Sequence, residues 1–362
     1  MTSTSSHFAA TYAEARGKFR DAAQRAGARL ASYDNPTKGP NGEALTTDVA
    51  LLGPQDASRI LMTVSATHGA EGFCGSGIQT GSFAGGVAGE LPKDTALLAI
   101  HAINPYGFAW IRRVTEENVD LNRNFVDHAK PLPRNDGYEE LHDAIAPRAW
   151  DAASQAASRA RFDAYVAREG AASFQRALSG GQYRHEDGIF YGGTAPTWAR
   201  RTLLRILAEH AGAARHLAMI DYHTGLGPWG HGEKITLHPP GSAALKRAEG
   251  WYGSVTNPSL GTSSSAELTG DNLNGLQSVL AARNIDFTGM ALEYGTLPLR
   301  DVLDAVRADN WLHHHGTIDS KEGRDLKALI RDAFYGDKDD WKVMVLEQGV
   351  AAQRAALRGL QG

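Results

Sequence analysis

Four short apolar segments, each of strand length and each ending in polar side chains, constrain the fold of this chain more than any other feature. They cover residues 59–71, 96–105, 216–225 and 287–296. Continuous apolar runs of this length are typical of strands that are buried on both faces of a sheet. Helical patterns lie between them, at residues 73–88, 136–170 and 195–214. Strands that alternate with helices predict an α/β protein, with a central, twisted, mixed but largely parallel sheet that helices flank.

The whole chain, residues 1–362, is predicted to fold as a single domain. Its length would allow two domains, but no Pro/Ser-rich linker or internal repeat divides it. Residues 8–27 are predicted to form an amphipathic helix, residues 46–52 a further strand before a Gly-Pro turn, and residues 181–193 a long loop. The motifs discussed below lie in a core of residues 45–315, and residues 320–362 are predicted to form a charged helical tail.

Charge and composition exclude several classes of protein. The formal net charge is −4 and the pI is near 6.4, so nucleic-acid binding has no electrostatic basis. No apolar run reaches the roughly 18 residues of a membrane span. The N-terminal residues lack the basic and apolar regions of a secretory signal, and the single cysteine, Cys74, allows no intrachain disulfide. We therefore expect a soluble, cytoplasmic protein.

Two of the apolar segments end in candidate metal ligands. His68 and Glu71 form an H-x-x-E motif, and imidazole nitrogen and carboxylate oxygen are both ligands of zinc. Alone, the motif also fits a surface-loop histidine followed by a glutamate at a helix N-terminus. His223 is the best candidate for a third ligand, although an isolated strand-end histidine could also be a buried residue bonded to backbone. Asp221, on the same strand face, is expected to be a nearby structural carboxylate rather than a partner of the imidazole.

Glu293 follows the last apolar segment. A carboxylate in such surroundings is costly unless it is paired, hydrated or close to a cation. Close to a metal-activated water, Glu293 could act as a general base. Taken alone, it fits a salt-bridged glutamate equally well.

The segment of residues 104–125 contains paired arginines, Arg112 and Arg113, followed by the run DLNRNF. A guanidinium group binds a carboxylate bidentately, and it can also stabilise an oxyanion. An exposed basic loop is the alternative, but the apolar residues on both sides of Asn122 and Arg123 argue against it. A hydrolase that acts beside a free carboxylate would need one arginine for each task.

Taken in order, these motifs resemble the zinc carboxypeptidase superfamily, and most closely its DUF2817 branch. The motifs read THGAEGFCGSGIQ, NPYGFAWIRRVTEENVDLNRNF, GQYRHEDGIFYGG, DYHTGLGPWG and ALEYGT. Aspartoacylase and succinylglutamate desuccinylase, which remove acyl groups from amino acids, share the H-x-x-E and D-L-N-R layout. The resemblance implies a zinc carboxypeptidase-like fold and one Zn²⁺ per chain, bound by His68, Glu71 and His223.

The resemblance also implies roles for the remaining site residues. Glu293 would be the general base and then the acid. Arg113 would polarise the scissile carbonyl, with Arg112 as the alternative for that role and otherwise a substrate-binding residue. Asn122 and Arg123 would hold the substrate carboxylate.

The predicted reaction is hydrolysis of an amide bond next to a free carboxylate, in a small-molecule or peptide substrate. A carboxypeptidase and an N-acyl amino acid deacylase both fit, and Tyr183, Tyr191 and Tyr294 are candidates for a substrate-lid tyrosine. A catalytically inactive binding module on the same fold is the alternative. A serine hydrolase is disfavoured, because Cys74 stands where the G-x-S-x-G motif requires glycine. No nucleic-acid or membrane partner is expected, and the sequence leaves the oligomeric state open.

Overall fold

The four apolar segments form the four parallel strands at the centre of a seven-stranded sheet. The computed structural model describes residues 3–362, and over that range it contains seven strands and twelve α-helices. The strands are β1 Arg29–Lys38, β2 Ala44–Leu52, β3 Arg59–Val64, β4 Thr95–His101, β5 His216–Trp229, β6 Gly232–Ile235 and β7 Asp286–Gly295.

The strands are arranged in the order β1-β2-β4-β3-β5-β7-β6. Strands β4, β3, β5 and β7 run parallel to one another. Strand β2 is antiparallel to β4, β1 is antiparallel to β2, and β6 is antiparallel to β7. A mixed sheet with a parallel centre in a single α/β domain confirms the predicted fold class.

Helices cover both faces of the sheet and the edge where the parallel strands end. They are α1 Tyr12–Arg25, α2 Gly72–Ala84, α3 Pro105–Ala109, α4 Asp136–Ile145, α5 Ala152–Glu169, α6 Ala171–Ser179, α7 Trp198–His210, α8 Ala243–Tyr252, α9 Asn272–Ala281, α10 Leu299–His315, α11 Lys321–Phe334 and α12 Asp339–Gly359. Helices α1, α2, α8 and α12 bury one apolar cluster against the sheet, and α7 and α9 bury a second cluster against the other face. A third cluster joins α4, α5, α6, α10 and α11 beyond the carboxyl ends of the strands.

The four helices predicted before the tail differ from the observed helices in their boundaries, and two strands are not predicted. The helices expected at residues 73–88 and 195–214 are shorter, as α2 and α7. The helix expected at residues 8–27 begins later, because the Thr11 side chain caps α1. The helix expected at residues 136–170 is two helices, since α4 ends before Pro147 and Asp151 caps α5. Strands β1 and β6 lie at the two edges of the sheet, where exposed positions in β1 and partly buried charged residues in β6 weaken the apolar pattern.

The C-terminal tail is helical, as predicted, and it is part of the core. Trp341 at the start of α12 is fully buried, and its indole N–H donates to the carbonyl of Gly295 at 2.9 Å. Over residues 3–362, none of the helices combines the length and the apolar character that crossing a bilayer would require.

The pairing of β5 with β7 determines which side chains share a face. The two strands are in register with His223 opposite Glu293. Because side chains alternate along a strand, Asp221, His223 and Glu293 project to one face, and Tyr222 and Tyr294 project into the apolar cluster on the other.

Candidate metal centre and active site

His68 and Glu71 are positioned by the tight turn between β3 and α2. His68 precedes a short 3₁₀ helix that ends at Glu71. The turn packs so closely on α3 that a Cβ atom at Gly69 would overlap the backbone of Gly107. The N–H of Gly69 also donates to the carbonyl of Arg113 at 3.2 Å. Glycine is therefore required here for close backbone approach, and the approach fixes the direction of both neighbouring side chains.

Three candidate ligands meet at the end of the sheet. The Nδ1 atom of His68 lies 2.8 Å from Oε1 of Glu71, and the Nδ1 atom of His223 lies 3.0 Å from Oε2 of the same carboxylate. One donor atom from each residue lies within 4.8 Å of the others. All three side chains are at least 95% buried, because β5, α2 and the turn enclose them. The structure thus brings together the three residues that the sequence singled out as metal ligands.

The far nitrogen of each imidazole contacts a further carboxylate. The Nε2 atom of His68 lies 3.1 Å from Asp120, and the Nε2 atom of His223 lies 2.8 Å from Asp221. If each Nε2 carries a proton and donates it to that carboxylate, each Nδ1 keeps a lone pair directed at the centre; for His68 this requires that Nη2 of Arg113, 2.9 Å from the same Nε2, directs its own N–H groups elsewhere. Two neutral imidazoles held in this way, with one carboxylate, are the donor set that zinc prefers, so the residues present fit the ion.

The charges of the site oppose the effect of burial. Burial alone would raise the pKa of Glu71, but His68 and His223 hold the pKa of its carboxyl well below the ordinary value. Burial would likewise lower the pKa of His223, yet Asp221 and Glu71 raise it well above the usual range. The pKa of Asp120 is held low against burial by Arg113 and by other nearby positive charges. The site is therefore a network of mutually stabilised buried charges rather than isolated groups.

Glu293 lies beside this centre and is only 8% exposed. Its Oε1 atom accepts the backbone N–H of Leu226 at 3.0 Å, which fixes the carboxyl group and leaves Oε2 for other partners. Burial and the neighbouring negative charge of Glu71 raise the pKa of Glu293 to about 8. A carboxyl with a pKa near neutrality can both accept and return a proton.

Arg113 contacts the metal centre directly. Its Nε donates to Asp120 at 2.9 Å, and its Nη1 lies 3.4 Å from Oε1 of Glu71. Its guanidinium carbon lies 5.1 Å from the ring centre of Phe190. Its Nη2 also lies 2.9 Å from Nε2 of His68, so all three guanidinium nitrogens contact residues of the site, and the group lies in the wall of the site cavity.

Asn122 and Arg123 lie further along the same cavity. The Asn122 side-chain oxygen accepts the N–H of Asn272 at 3.0 Å. Arg123 donates to the backbone carbonyls of Ser179 and Asn122, each at 3.0 Å from one of its nitrogens, with a second bond to Ser179. These three bonds leave two of the five N–H groups of Arg123 without a hydrogen-bond partner among residues 3–362, and Nη1 lies 3.8 Å from the Asp120 carboxylate. A buried guanidinium with spare donors is suited to bind a carboxylate.

Four of the candidate substrate-binding residues lie away from the cavity wall. The Tyr183 hydroxyl donates to the carbonyl of Arg123 at 2.7 Å, and the Tyr294 hydroxyl donates to a carbonyl of α12 at 3.1 Å. Tyr191 is buried in the same loop as Tyr183, and its carbonyl accepts the N–H of Asp120 at 2.7 Å. All three tyrosines thus have structural contacts here rather than a position over the metal centre.

Arg112, the fourth of these residues, points away from Arg113 into a buried charge cluster. We call this group the Asp309 cluster, and it consists of Arg112, Asp309 and Lys327. The Asp309 carboxylate lies 3.3 Å from Nε of Arg112 and 2.5 Å from Nζ of Lys327. The two adjacent arginines therefore face different carboxylates, and only Arg113 reaches the metal centre.

The centre opens into a cavity of about 550 Å³. Its lining includes the polar side chains of the centre and of the neighbouring residues that carry an amide or a guanidinium group. These are His68, Glu71, His223 and Glu293, together with Arg113, Asn122 and Arg123. Apolar side chains of α5, α6 and α10 form much of the outer wall.

Sequence reasoning missed three contributors to the site. Asp120 is the first residue of the DLNRNF run, and its place in that motif is the sequence signal that could have identified it. Phe190 and Asn272 had no local signal, because they reach the site through the fold of the 181–193 loop and the packing of α9. Asp221 was expected to be structural, whereas the structure places it on the imidazole of His223.

Fold and site together define an α/β protein with a candidate His-Glu-His metal centre at the carboxyl edge of its sheet. The chain belongs to the family described as "Protein of unknown function (DUF2817)", whose model matches residues 8–348. This match confirms the family that the motifs predicted. No curated protein matches the chain.

Solved structures of similar fold include a bovine thrombin-activatable fibrinolysis inhibitor, with 9% identity, 98% of each chain covered and a TM-score of 0.48. Carboxypeptidase A from Helicoverpa armigera is 13% identical over 92% of this chain and 77% of that chain, with a TM-score of 0.45. A succinylglutamate desuccinylase/aspartoacylase family protein from Shewanella frigidimarina is 18% identical over 81% and 73%, with a TM-score of 0.35. Similarities this low do not indicate the activity of this chain.

Proposed function

We propose that the protein is a zinc-dependent hydrolase that cleaves an amide bond next to a free carboxylate. The observation that supports this most strongly is the convergence of His68, Glu71 and His223, each imidazole backed by a carboxylate, beside the buried Glu293. When bound by these three residues, zinc would act as a Lewis acid and lower the pKa of a bound water from 15.7 to about 7.

Glu293 is the proton carrier in this proposal. Its Oε1 is held by the N–H of Leu226, so Oε2 is the atom that takes a proton from the attacking water. The same oxygen then returns the proton to the nitrogen of the leaving amine. The raised pKa of Glu293, about 8 before substrate and metal bind, supports a group that exchanges protons near neutral pH.

Arg113 is the proposed electrophilic donor. Its Nε donates to Asp120, while Nη1 and Nη2 contact Glu71 and His68, so one N–H group on each Nη nitrogen remains to donate to a developing oxyanion at the cavity wall. Loss of one such donor typically lowers the rate by about 10²–10³-fold.

Asn122 and Arg123 are the proposed anchor for the substrate carboxylate. The two spare N–H groups of Arg123 match the two oxygens of a carboxylate, and the Asn122 side-chain N–H₂ lies on the same wall. Arg112 and the three tyrosines have no part in this mechanism, because their contacts are structural.

Metal content is the first test, measured by mass spectrometry on purified protein. About one zinc per chain is expected for the wild type and much less for His223→Ala. His216→Ala is the matched control, because His216 lies at the exposed start of the same strand and should leave the zinc content unchanged. A wild-type protein that binds no zinc when zinc is supplied would contradict the proposal and favour a binding module.

Activity is the second test, measured as release of free amino acid from N-acyl amino acids and from peptides. Glu293→Gln should lower kcat by at least about 10²-fold while zinc remains bound. Glu209→Gln, an exposed glutamate on α7 paired with Arg205, should behave as the wild type. Full activity in the Glu293 variant would overturn the assigned role.

A further inference from the structure

A second group of potential metal ligands lies between α4 and the loop of residues 181–193. His142 is in the last turn of α4, and His185 and Asp187 are two residues apart in the loop. One donor atom from each of the three residues lies within 4.8 Å of the others. We call His142, His185 and Asp187 the outer cluster, and none of them is part of the metal centre described above.

The distances within the outer cluster suit ligands of one ion. The Nε2 atom of His142 lies 3.7 Å from Oδ1 of Asp187, which is too long for a hydrogen bond. Two ligand atoms of a tetrahedral zinc ion, each about 2.0–2.1 Å from the metal, lie about 3.3–3.4 Å apart. The rings of His142 and His185 are stacked, with their centres 3.6 Å apart. The donor atoms are thus already close, and binding requires only that the rings turn out of their parallel stack.

Both imidazoles of the outer cluster have a nitrogen available for a metal. The Nε2 atom of His185 lies 3.1 Å from the carboxylate of Glu139, one turn before His142 on α4. If this Nε2 donates to Glu139, Nδ1 of His185 keeps its lone pair, which is the arrangement at His68 and His223. The Nδ1 atom of His142 is buried and has no hydrogen-bond partner among residues 3–362. Burial and the charge of His185 lower the pKa of His142, which favours the neutral form that metals bind.

The charges around the outer cluster favour a cation. The carboxylates of Asp187, Asp143 and Glu139 all act on the imidazole of His142. Arg184, 3.8 Å from Glu139, offsets part of this negative charge, but its side chain is 57% exposed and hydrated. Protons on both stacked imidazoles would place two positive charges face to face. A divalent ion balances the carboxylates while both imidazoles stay neutral.

We propose that the outer cluster binds a second divalent transition-metal ion, with zinc as the ion that fits best. Imidazole nitrogen is a ligand of zinc, whereas Mg²⁺ and Ca²⁺ prefer sites built from oxygen alone. Binding at the outer cluster does not depend on the proposed hydrolase reaction. The Asp187 side chain is 55% exposed, so the outer ion should exchange with solvent. Purified protein without added zinc should therefore retain only the ion of the metal centre.

The outer ion would hold a loop that contacts the metal centre. Phe190 follows Asp187 by three residues in this loop. Its ring centre lies 5.1 Å from the guanidinium carbon of Arg113 and 5.3 Å from that of Arg123. An ion that joins the loop to His142 on α4 would therefore restrain an element that packs against both arginines of the proposed mechanism.

The experiment counts the zinc ions that metal-free protein binds when it is titrated with Zn²⁺ at a fixed pH near neutrality. Calorimetry and mass spectrometry after equilibrium dialysis give the count. About two zinc ions per chain are expected for the wild type at saturation, and millimolar Mg²⁺ should displace neither. His185→Ala and Asp187→Asn should each weaken the second ion by at least about tenfold, since a ligand matters at least as much as the groups behind it. His223→Ala should lose the first ion and keep the second.

His210→Ala is the matched control, because His210 is partly buried in the last turn of α7, as His142 is in α4, and Glu209 precedes it. This variant should bind both ions as the wild type does. A wild type that saturates at one zinc, lost in His223→Ala, would overturn the outer site and leave the hydrolase standing. A second ion that is unaffected by the outer-cluster variants would also overturn it. A single zinc that only these variants remove would support the outer site and contradict the proposed metal centre.

Hydrogen exchange measured on His223→Ala isolates the effect of the outer ion on the loop. The N–H of Gly188 in this loop donates to the carbonyl of His185 at 3.0 Å. At a zinc concentration of about ten times the dissociation constant, openings that break the site become about tenfold rarer. Exchange of the loop amides should slow by about that factor, and adding Asp187→Asn should abolish the slowing at the same zinc concentration. Exchange that zinc leaves unchanged would overturn the proposed restraint of the loop.

Discussion

The carboxylate behind His223 provides the sharpest test of how this site is built. Asp221 is fully buried on β5, between Val64 of β3 and Ala291 of β7. It accepts hydrogen bonds from the Thr67 hydroxyl at 2.8 Å and from the Asn272 amide at 2.7 Å, besides its contact with His223. Asp221→Asn keeps the shape of the side chain but removes the charge and turns one acceptor into a donor. The amide nitrogen of the variant would then lie opposite at least one hydrogen-bond donor, with which it cannot form a hydrogen bond.

The magnitude follows from the role of the bond. Outer carboxylates that orient a metal-binding histidine are typically worth about 10–100-fold in metal affinity. That range corresponds to about 1.4–2.7 kcal/mol. We therefore expect the zinc dissociation constant of Asp221→Asn to rise by about 10–100-fold, measured by competition with a chromophoric chelator at fixed pH.

The control is the other carboxylate–histidine contact on the same pair of strands. Asp286 lies 3.5 Å from His216 at the opposite, exposed end of β5 and β7. Asp286→Asn should leave the zinc dissociation constant unchanged. If Asp221→Asn binds zinc as tightly as the wild type and is equally stable, then the carboxylate does not orient the imidazole and the reasoning is refuted.

Two further predictions concern packing and charge. Gly69→Ala should lower both the zinc content and the Tm, because the added methyl group overlaps the backbone of Gly107. Gly17→Ala is the control, because Gly17 lies at an open and exposed helical position. It should raise the free energy of unfolding by roughly 0.5–1 kcal/mol. Asp309→Ala should lower the free energy of unfolding by about 3–5 kcal/mol, because it leaves the two buried cations of its cluster without their carboxylate. Asp325→Ala, which breaks an exposed ion pair on α11, should change it by no more than about 0.5 kcal/mol in the same urea titration, and equal effects would contradict the argument.

The parts of the site that could be predicted from the sequence are those that short-range rules determine. The apolar segments identified the central strands, and parallel strands end at one edge of a sheet. His68, His223 and Glu293 all follow or end such strands, so their convergence could be expected before any tertiary contact was known. In the structure, His223 lies opposite Glu293 on the neighbouring strands β5 and β7, in agreement with that expectation.

The parts that could not be predicted depend on long-range packing. Arg112 and Arg113 are adjacent in sequence and chemically alike, and only the packing of α10 and α11 gives Arg112 a carboxylate of its own. Tyr183 was a candidate for a substrate lid because it stands in a glycine-rich loop. Its hydroxyl is instead bonded to the carbonyl of Arg123, a contact 60 residues away in the chain. Loop conformation of this kind has no periodic signal.

The buried charges of the site favour the divalent cation that we propose. The charged groups described above are four carboxylates and two guanidinium groups: Glu71, Asp120, Asp221, Glu293, Arg113 and Arg123. With neutral imidazoles and all four carboxylates ionised the net charge is −2, and it is −1 while Glu293, with a pKa of about 8, keeps its proton; uncompensated buried charge is costly. A proton on His223 can offset part of this negative charge, and the carboxylates of Asp221 and Glu71 raise the pKa of His223 accordingly. A divalent ion supplies the same charge with both imidazoles neutral, so metal binding should displace protons rather than add charge to the interior.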